Sequence, residues 1–256
     1  MPATVIDAPH LAFLVLAGAL AGAQNVLAGG GSFLTFPALL LAGLNPLAAN
    51  MTSTIAMFPG QVTAAVAGRD LVAGVGRLRF RDLFGISLVG GAFGALLLQN
   101  TPVSIFVRLV PWLVLFATAV FAWGSFRPTP LPAAGAPDRP TPLWVLAVTQ
   151  GLIAVYGGYF GGGIGFLMLA ALTFWGQPVR NAGATKNALA MAMNASAMAI
   201  FAFSPLAHWP AALALGTGGI LGGLGGSWLL HRLPTKILRG FIVIVGVALT
   251  VWLFVR

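Results

Sequence analysis

With 59% of its 256 residues hydrophobic and only 7% charged, against roughly a quarter charged in soluble domains, the chain reads as a polytopic membrane protein rather than a soluble enzyme or binding module. The absence of cysteine removes disulfide frameworks, thiol nucleophiles and cysteine-ligated metals from consideration. The formal charge of +9 falls between apolar segments, where basic residues set membrane orientation, so it argues for topology and against a nucleic-acid partner.

In chain order, residues 1–10 hold Asp7 but no basic residue, unlike the start of a cleavable signal peptide. A first apolar segment is predicted over 11–28. Gly29, Gly30 and Gly31 break it, since each glycine weakens a helix by roughly 1 kcal/mol relative to alanine. The next apolar stretch, 33–44, is too short for a bilayer crossing that needs about 20 residues. The two form a Gly-broken hairpin, spanning or re-entrant, whose backbone amides are exposed where protein or water can satisfy them. A third segment is predicted over 47–67, opening with Asn50, Thr52, Ser53 and Thr54. The loop 69–81 carries Arg69, Arg77, Arg79 and Arg81 and is expected in the cytoplasm. Segment four, 83–98, has Gly85, Gly90, Gly91 and Gly94, a small-residue face suited to close helix packing. Segment five, 102–123, holds Trp112 and Trp123 as interfacial anchors.

The same plan then recurs. A shift of 133 residues pairs Gly29 with Gly162, Gly30 with Gly163, Phe33 with Phe166, Leu34 with Leu167, Gly43 with Gly176, Ala49 with Ala182 and Thr52 with Thr185. Segments over 142–160, 166–175, 179–203, 209–230 and 234–254 complete a second half. The expected fold is an all-α integral membrane protein with a first membrane repeat over 1–127, a Pro/Gly-rich linker over 128–141 and a second repeat over 142–256. Each repeat has about five helical segments, with 8–10 membrane segments in all. An odd number of segments per repeat inverts the second half relative to the first. The charges agree: loop 69–81, the linker with Arg127 and Arg139, turn 177–180 and loop 231–239 all fall on one side. Arg108 and Arg256 fall on the other, near helix ends where long side chains snorkel. The expectation is a multi-pass cell-membrane protein with both termini extracytoplasmic.

The duplicated hairpins GGGSFL and GGGIGFL, each followed by a Pro-containing turn and then by ANMT at 49–52 or AGATKN at 182–187, resemble the TauE/SafE family of sulfite and organosulfonate exporters. The likeness spans both halves, about 11–254. It implies an anion transporter that exports sulfite, sulfoacetate or related sulfonates; by analogy with other inverted-repeat folds, it is expected to work by alternating access with its site between the repeats.

Lys186 leads to the same class from the residues. An unpaired ammonium at the bilayer centre costs at least about 2.5–3.5 kcal/mol. The four acidic residues, Asp7, Asp70, Asp82 and Asp138, all lie in predicted loops or tails, and there is no Glu. A substrate anion therefore fits as the partner of Lys186, helped by backbone amides at the broken helix ends near Gly30, Gly31, Gly162 and Gly163. The competing reading puts Lys186 at the interface, snorkelling beside Arg180. Asn187 and Asn194 lie seven residues apart on one helix face, and the shift pairs them with Thr54 and Gln61. Asn50, Thr52, Ser53 and Thr185 offer further amide and hydroxyl donors for sulfonate oxygens, although Ser and Thr also bond their own helix backbone. Gln24 and Asn25 before the first break, and Tyr156 before the second, line or cap the hairpins.

Energy coupling narrows by elimination. No Asp or Glu lies within a predicted segment, and His10, His208 and His231 fall at segment ends, which argues against a carboxylate proton relay. Anion exchange, facilitated diffusion or efflux driven by the membrane potential are easier to accommodate, the last favoured by about 2.3 kcal/mol per charge per 100 mV. Protonation of the substrate itself, or a sodium ion held by unwound carbonyls, stays open. A passive anion channel is the near alternative. An integral membrane enzyme would need a nucleophile with its base, and Ser32 beside Gly31 has no histidine placed to serve it. No metal or cofactor is expected; the partners are a small-molecule anion and the lipid bilayer, and a homo-oligomer is compatible with the sequence.

Overall fold

A computed structural model describes residues 6–27, 31–126, 142–230 and 235–255. Gly29, Gly30, the 128–141 linker and the loop at 231–234 lie outside them. The described residues form ten α-helices: α1 (Ala8–Leu27), α2 (Ser32–Leu41), α3 (Pro46–Ala67), α4 (Phe80–Gln99), α5 (Val103–Phe126), α6 (Leu143–Tyr159), α7 (Ile164–Phe174), α8 (Val179–Phe201), α9 (Trp209–Leu230) and α10 (Thr235–Val255). Each predicted segment corresponds to one helix, with ends moved by a few residues.

The shifts have local causes. Helix α2 stops at Leu41 rather than 44 because Gly43 turns left-handed at φ 93, and Gly176 does the same after α7 with the same φ of 93. Proline follows within three residues in both places, Pro46 and Pro178, and helices cannot continue through that geometry. Helix α3 starts cleanly because Pro46 sits at its first position and the Asn45 side chain accepts from the Ala48 amide at 2.9 Å. At 10 and 11 residues, α2 and α7 are each about 15 Å long at 1.5 Å per residue, half of a hydrocarbon core of about 30 Å.

By length and composition, α4 and α5 are the two described helices apolar enough to cross a bilayer. Helices α3 and α8 miss that mark because they carry the polar side chains described below. The outer surface is apolar: Leu16 and Leu20 on α1, Val89 and Phe93 on α4, Leu152 on α6, Leu221 on α9 and Ile244 on α10 are all exposed. So many exposed apolar side chains spread over five helices suit a lipid environment.

Inside, the helices meet at glycine. A Cβ added at Gly222 of α9 would lie 1.9 Å from the Ala19 carbonyl oxygen of α1. One at Gly94 of α4 would lie 2.1 Å from the Val155 carbonyl oxygen of α6. The small-residue face expected on α4 is thus a packing face, with Gly90, Gly91 and Gly94 against α6 and α8, while Gly85 meets nothing within 4 Å. Two apolar clusters fill the remaining space. One centres on Leu39, Met51, Phe106, Phe121 and Phe201. The other, around Leu146, Met168, Leu189 and Met193, lies under Val75 and Leu78 of the loop that follows α3.

Replacing Gly222 or Gly94 by valine forces helix separation, so thermal unfolding of the purified protein is expected to show a loss of about 1–3 kcal/mol for each. Gly85→Ala should instead be neutral or stabilising by up to about 1 kcal/mol. Equal losses at all three positions would remove the close-packing argument.

Candidate functional site

Helices α3 and α8 pack against each other at the centre of the molecule, and the starts of α2 and α7 approach the same place. Between them lies a cavity of about 90 Å³. It opens on one side into a chamber of about 660 Å³, and the two share Asn25, Met57, Ala64, Lys186 and Asn187 as lining residues. The chamber continues between α1, α9 and the last turns of α3, where Arg180 and Arg239 also face it.

Of the residues singled out in the sequence, Lys186, Asn187, Asn194, Asn50, Ser53, Gln61, Gly31, Gly162 and Gly163 all line the cavity. Three do not. The Thr52 hydroxyl accepts from the His208 amide at 3.1 Å, and the Thr185 hydroxyl accepts from the Ala73 amide at 3.0 Å, pinning the loop after α3 onto α8. Tyr156 acts from behind the hairpin, its hydroxyl donating to the Gly162 carbonyl at 2.7 Å. Gly30 lies outside the described residues.

The electrostatics of the cavity are one-sided. Among the described residues Lys186 has neither a hydrogen bond nor an ion pair, and no carboxylate lines the cavity. Asp70 pairs with Arg69 at 3.7 Å on the surface, and Asp82 accepts from the Arg79 amide at 3.0 Å where α4 begins. The Lys186 stem crosses the first turn of α7: a Cβ built at Gly165 would stand 3.6 Å from both its Cδ and its Nζ. That places an ammonium at the positive end of a helix dipole, an arrangement disfavoured by about 0.3–1 kcal/mol unless an anion sits between them. Helices α2 and α7 also lack side-chain caps, because their N-cap residues are Gly31 and Gly163. First-turn amides of two helices and one ammonium thus converge on one small space. Such a constellation attracts an anion.

The polar lining divides into fixed and available groups. Asn50 is fixed, its amide donating to the Tyr159 carbonyl at 2.9 Å. The Ser53 hydroxyl lies 2.6 Å from that of Thr35, and the Asn194 amide donates to the Ala190 carbonyl at 3.0 Å. Asn187 has no partner among the described residues, and the side-chain carbonyl of Gln61 is buried without one. No group of His, Asp or Glu among the described residues could hold a metal ion.

Several lining residues were not among the expected site: Ser32, Thr54, Gly165, Phe36 and Phe160. Asn25, read only as lining or capping a hairpin, faces both spaces. The signal for most of them was the 133-residue shift, which relates Ser32 to Gly165, Thr54 to Asn187 and Ser53 to Lys186.

The model for the sulfite exporter TauE/SafE family matches residues 14–253. The chain belongs to the TauE/SafE family. Among its relatives, "Probable membrane transporter protein ORF9" of a Sinorhizobium species is 30% identical over 245 residues, spanning 94% of this chain and 91% of its own length. A "Probable membrane transporter protein" of Haemophilus influenzae is 28% identical over 247 residues, spanning 94% and 92%. "Probable membrane transporter protein YfcA" of Escherichia coli K12 is 28% identical over 245 residues, spanning 94% and 88%. No solved structure matches the chain. Membership in TauE/SafE makes the protein a membrane transporter, and the helical fold with its apolar exterior accords with that class.

Tyr156→Phe removes a hydrogen bond that holds the second glycine break, so chemical denaturation in detergent is expected to show a loss of about 0.5–1.5 kcal/mol. Asn187→Ala should leave stability within about 0.5 kcal/mol, because its side chain has no partner to lose. A large loss for Asn187→Ala would make that residue structural.

Proposed function

We propose that the protein carries small sulfur-containing oxyanions, sulfite or an organosulfonate, through the cavity between its two halves, and that it works as an exporter by alternating access. The observation that carries this reading is Lys186: an ammonium without an acidic partner, against the uncapped start of α7, in a cavity continuous with a larger chamber. Sulfonate and sulfite oxygens accept hydrogen bonds in several directions at once, which suits Lys186, Asn187, Gln61 and the amides near Gly31 and Gly163. The site residues named from the sequence then divide by role. Lys186 and Asn187 contact the anion directly, Asn50, Ser53 and Asn194 shape the cavity, and Thr52, Thr185 and Tyr156 hold the elements that carry it.

The two-fold plan supports inverted repeats, with Gly43 and Gly176 at the same φ of 93 in corresponding turns. The chamber is lined by the end of α3 and the start of α8, beside Arg69 and Arg180. Basic loops mark the cytoplasmic face, so the chamber opens inward in this orientation. An inside-negative potential then drives anion exit by about 2.3 kcal/mol per charge per 100 mV.

Purified protein in liposomes should exchange at least one of sulfite, thiosulfate, sulfoacetate, taurine or acetate in a saturable way. Lys186→Ala is expected to weaken the apparent affinity about 10–100-fold, since a hydrogen bond to a charged group contributes about 1.5–3 kcal/mol. Exchange at unaltered affinity in the variant would assign Lys186 to the interface and remove the reading.

A further inference from the structure

The cavity is built from matched positions of the two halves. The 133-residue shift relates Ser53 to Lys186, Thr54 to Asn187, Met57 to Ala190 and Gln61 to Asn194, and all eight line it. The chamber has no such match. It is entered past Gly60, Ala64 and Gly68 of the α3 side and past Leu169 and Arg180 of α7 and α8. Their counterparts under the same shift are Met193, Ala197, Phe201, Phe36 and Leu47. Every one of these is 4% exposed or less. Where one half of the molecule surrounds an open space, the other half has closed over the equivalent space.

Specific contacts hold it closed. Helix α4 lies so close to α8 that a Cβ at Gly91 would be 2.4 Å from the Met193 carbonyl oxygen. The Asn50 amide donates to the Tyr159 carbonyl at 2.9 Å, tying α3 to the end of α6. The Phe36 ring meets the Phe160 ring edge-on at 5.7 Å between centroids. On the open side, the counterpart of Asn50 is Gly183, which lines the chamber and has nothing within 4 Å of its Cβ direction. The two halves therefore show one sequence plan in two packings, latched and unlatched.

We infer that the collapsed counterpart of the chamber, between α2, α3, α4 and α8, is the second access route to the Lys186 site, and that the Asn50 to Tyr159 hydrogen bond with the Phe36 and Phe160 contact is its latch. This inference rests on the transport reading above. Exchange of the two packings between halves would close the present chamber, open the latched one, and deliver the same cavity to the opposite face of the membrane. Rearrangement of packed elements between two discrete arrangements is the usual form of such transitions.

The chain contains no cysteine, so single-cysteine variants need no background changes. Ala64→Cys reports the open chamber and Ala197→Cys its collapsed counterpart. Both are reacted in liposomes, from either face, with a charged, membrane-impermeant methanethiosulfonate, alone and combined with Asn50→Ala or Phe36→Leu. Ala64→Cys should react readily in the otherwise unaltered protein, and Ala197→Cys hardly at all. Either latch variant should speed the Ala197→Cys reaction at least tenfold, from the face opposite to the one that labels Ala64→Cys, and slow the latter. Unchanged Ala197→Cys reactivity in both latch variants, or reaction from the same face as Ala64→Cys, overturns the inference. The labelling needs no substrate. Absence of anion exchange with the expected labelling pattern would count against the transport reading and leave the two-route arrangement, whereas intact exchange with unchanged labelling would do the reverse.

Discussion

A cation without a carboxylate, held inside an apolar shell, is the constraint around which this molecule is arranged. The Lys186 stem lies across the first turn of α7 and faces both the cavity and the chamber beside it. That position brings together two unfavourable features, an ammonium and a positive helix end, and a bound anion relieves both. The short helices follow from the same need. If α1 and α2 formed one continuous helix, or α6 and α7 another, no helix start would reach the middle of the protein. The glycine breaks create those starts.

Glycine serves a second purpose away from the site. With lipid on the outside there is little hydrophobic driving force between helices, so close approach supplies the packing energy instead. Backbone of α1 meets backbone of α9, and α4 meets both α6 and α8, at separations that leave no room for a Cβ. These rigid pairs surround α3 and α8, whose polar faces could not be turned to lipid. The tight α4 and α8 contact and the open space beside α9 are different packings of stretches matched by the 133-residue shift. Two discrete packings are what the proposed carrier with a central site requires.

Much of this was legible along the chain because apolar runs in this sequence are punctuated by Gly and Pro, and helix ends followed that punctuation to within a few residues. The gathering of Lys186, Asn187, Asn194 and Gln61 was also legible, since helical spacing places 187 and 194 on one face and the 133-residue shift points to 61. Thr52 and Thr185 were harder to place. Each neighbours a cavity residue in sequence, but successive residues on a helix point about 100° apart, and both hydroxyls turned toward backbone amides that come from remote segments, those of His208 and Ala73. Ser32, dismissed as a nucleophile, faces the cavity as an ordinary hydroxyl at the start of α2.

Composition and spacing by themselves determined that the chain is helical and lipid-adapted, that its two halves match at a shift of 133 residues, and that Lys186 stands among residues offering no acid to neutralise it. These are local properties: hydropathy, helix breaking and residue inventory do not depend on what packs where. Only the tertiary structure decided that Lys186 turns inward, that Asn50 is tied to Tyr159 across 109 residues of chain, and that one of two equivalent spaces is open and the other shut. Both halves carry the same instructions for making helices. Which half gapes and which is latched depends on contacts between α3, α6 and α8, and those exist only once the helices have come together.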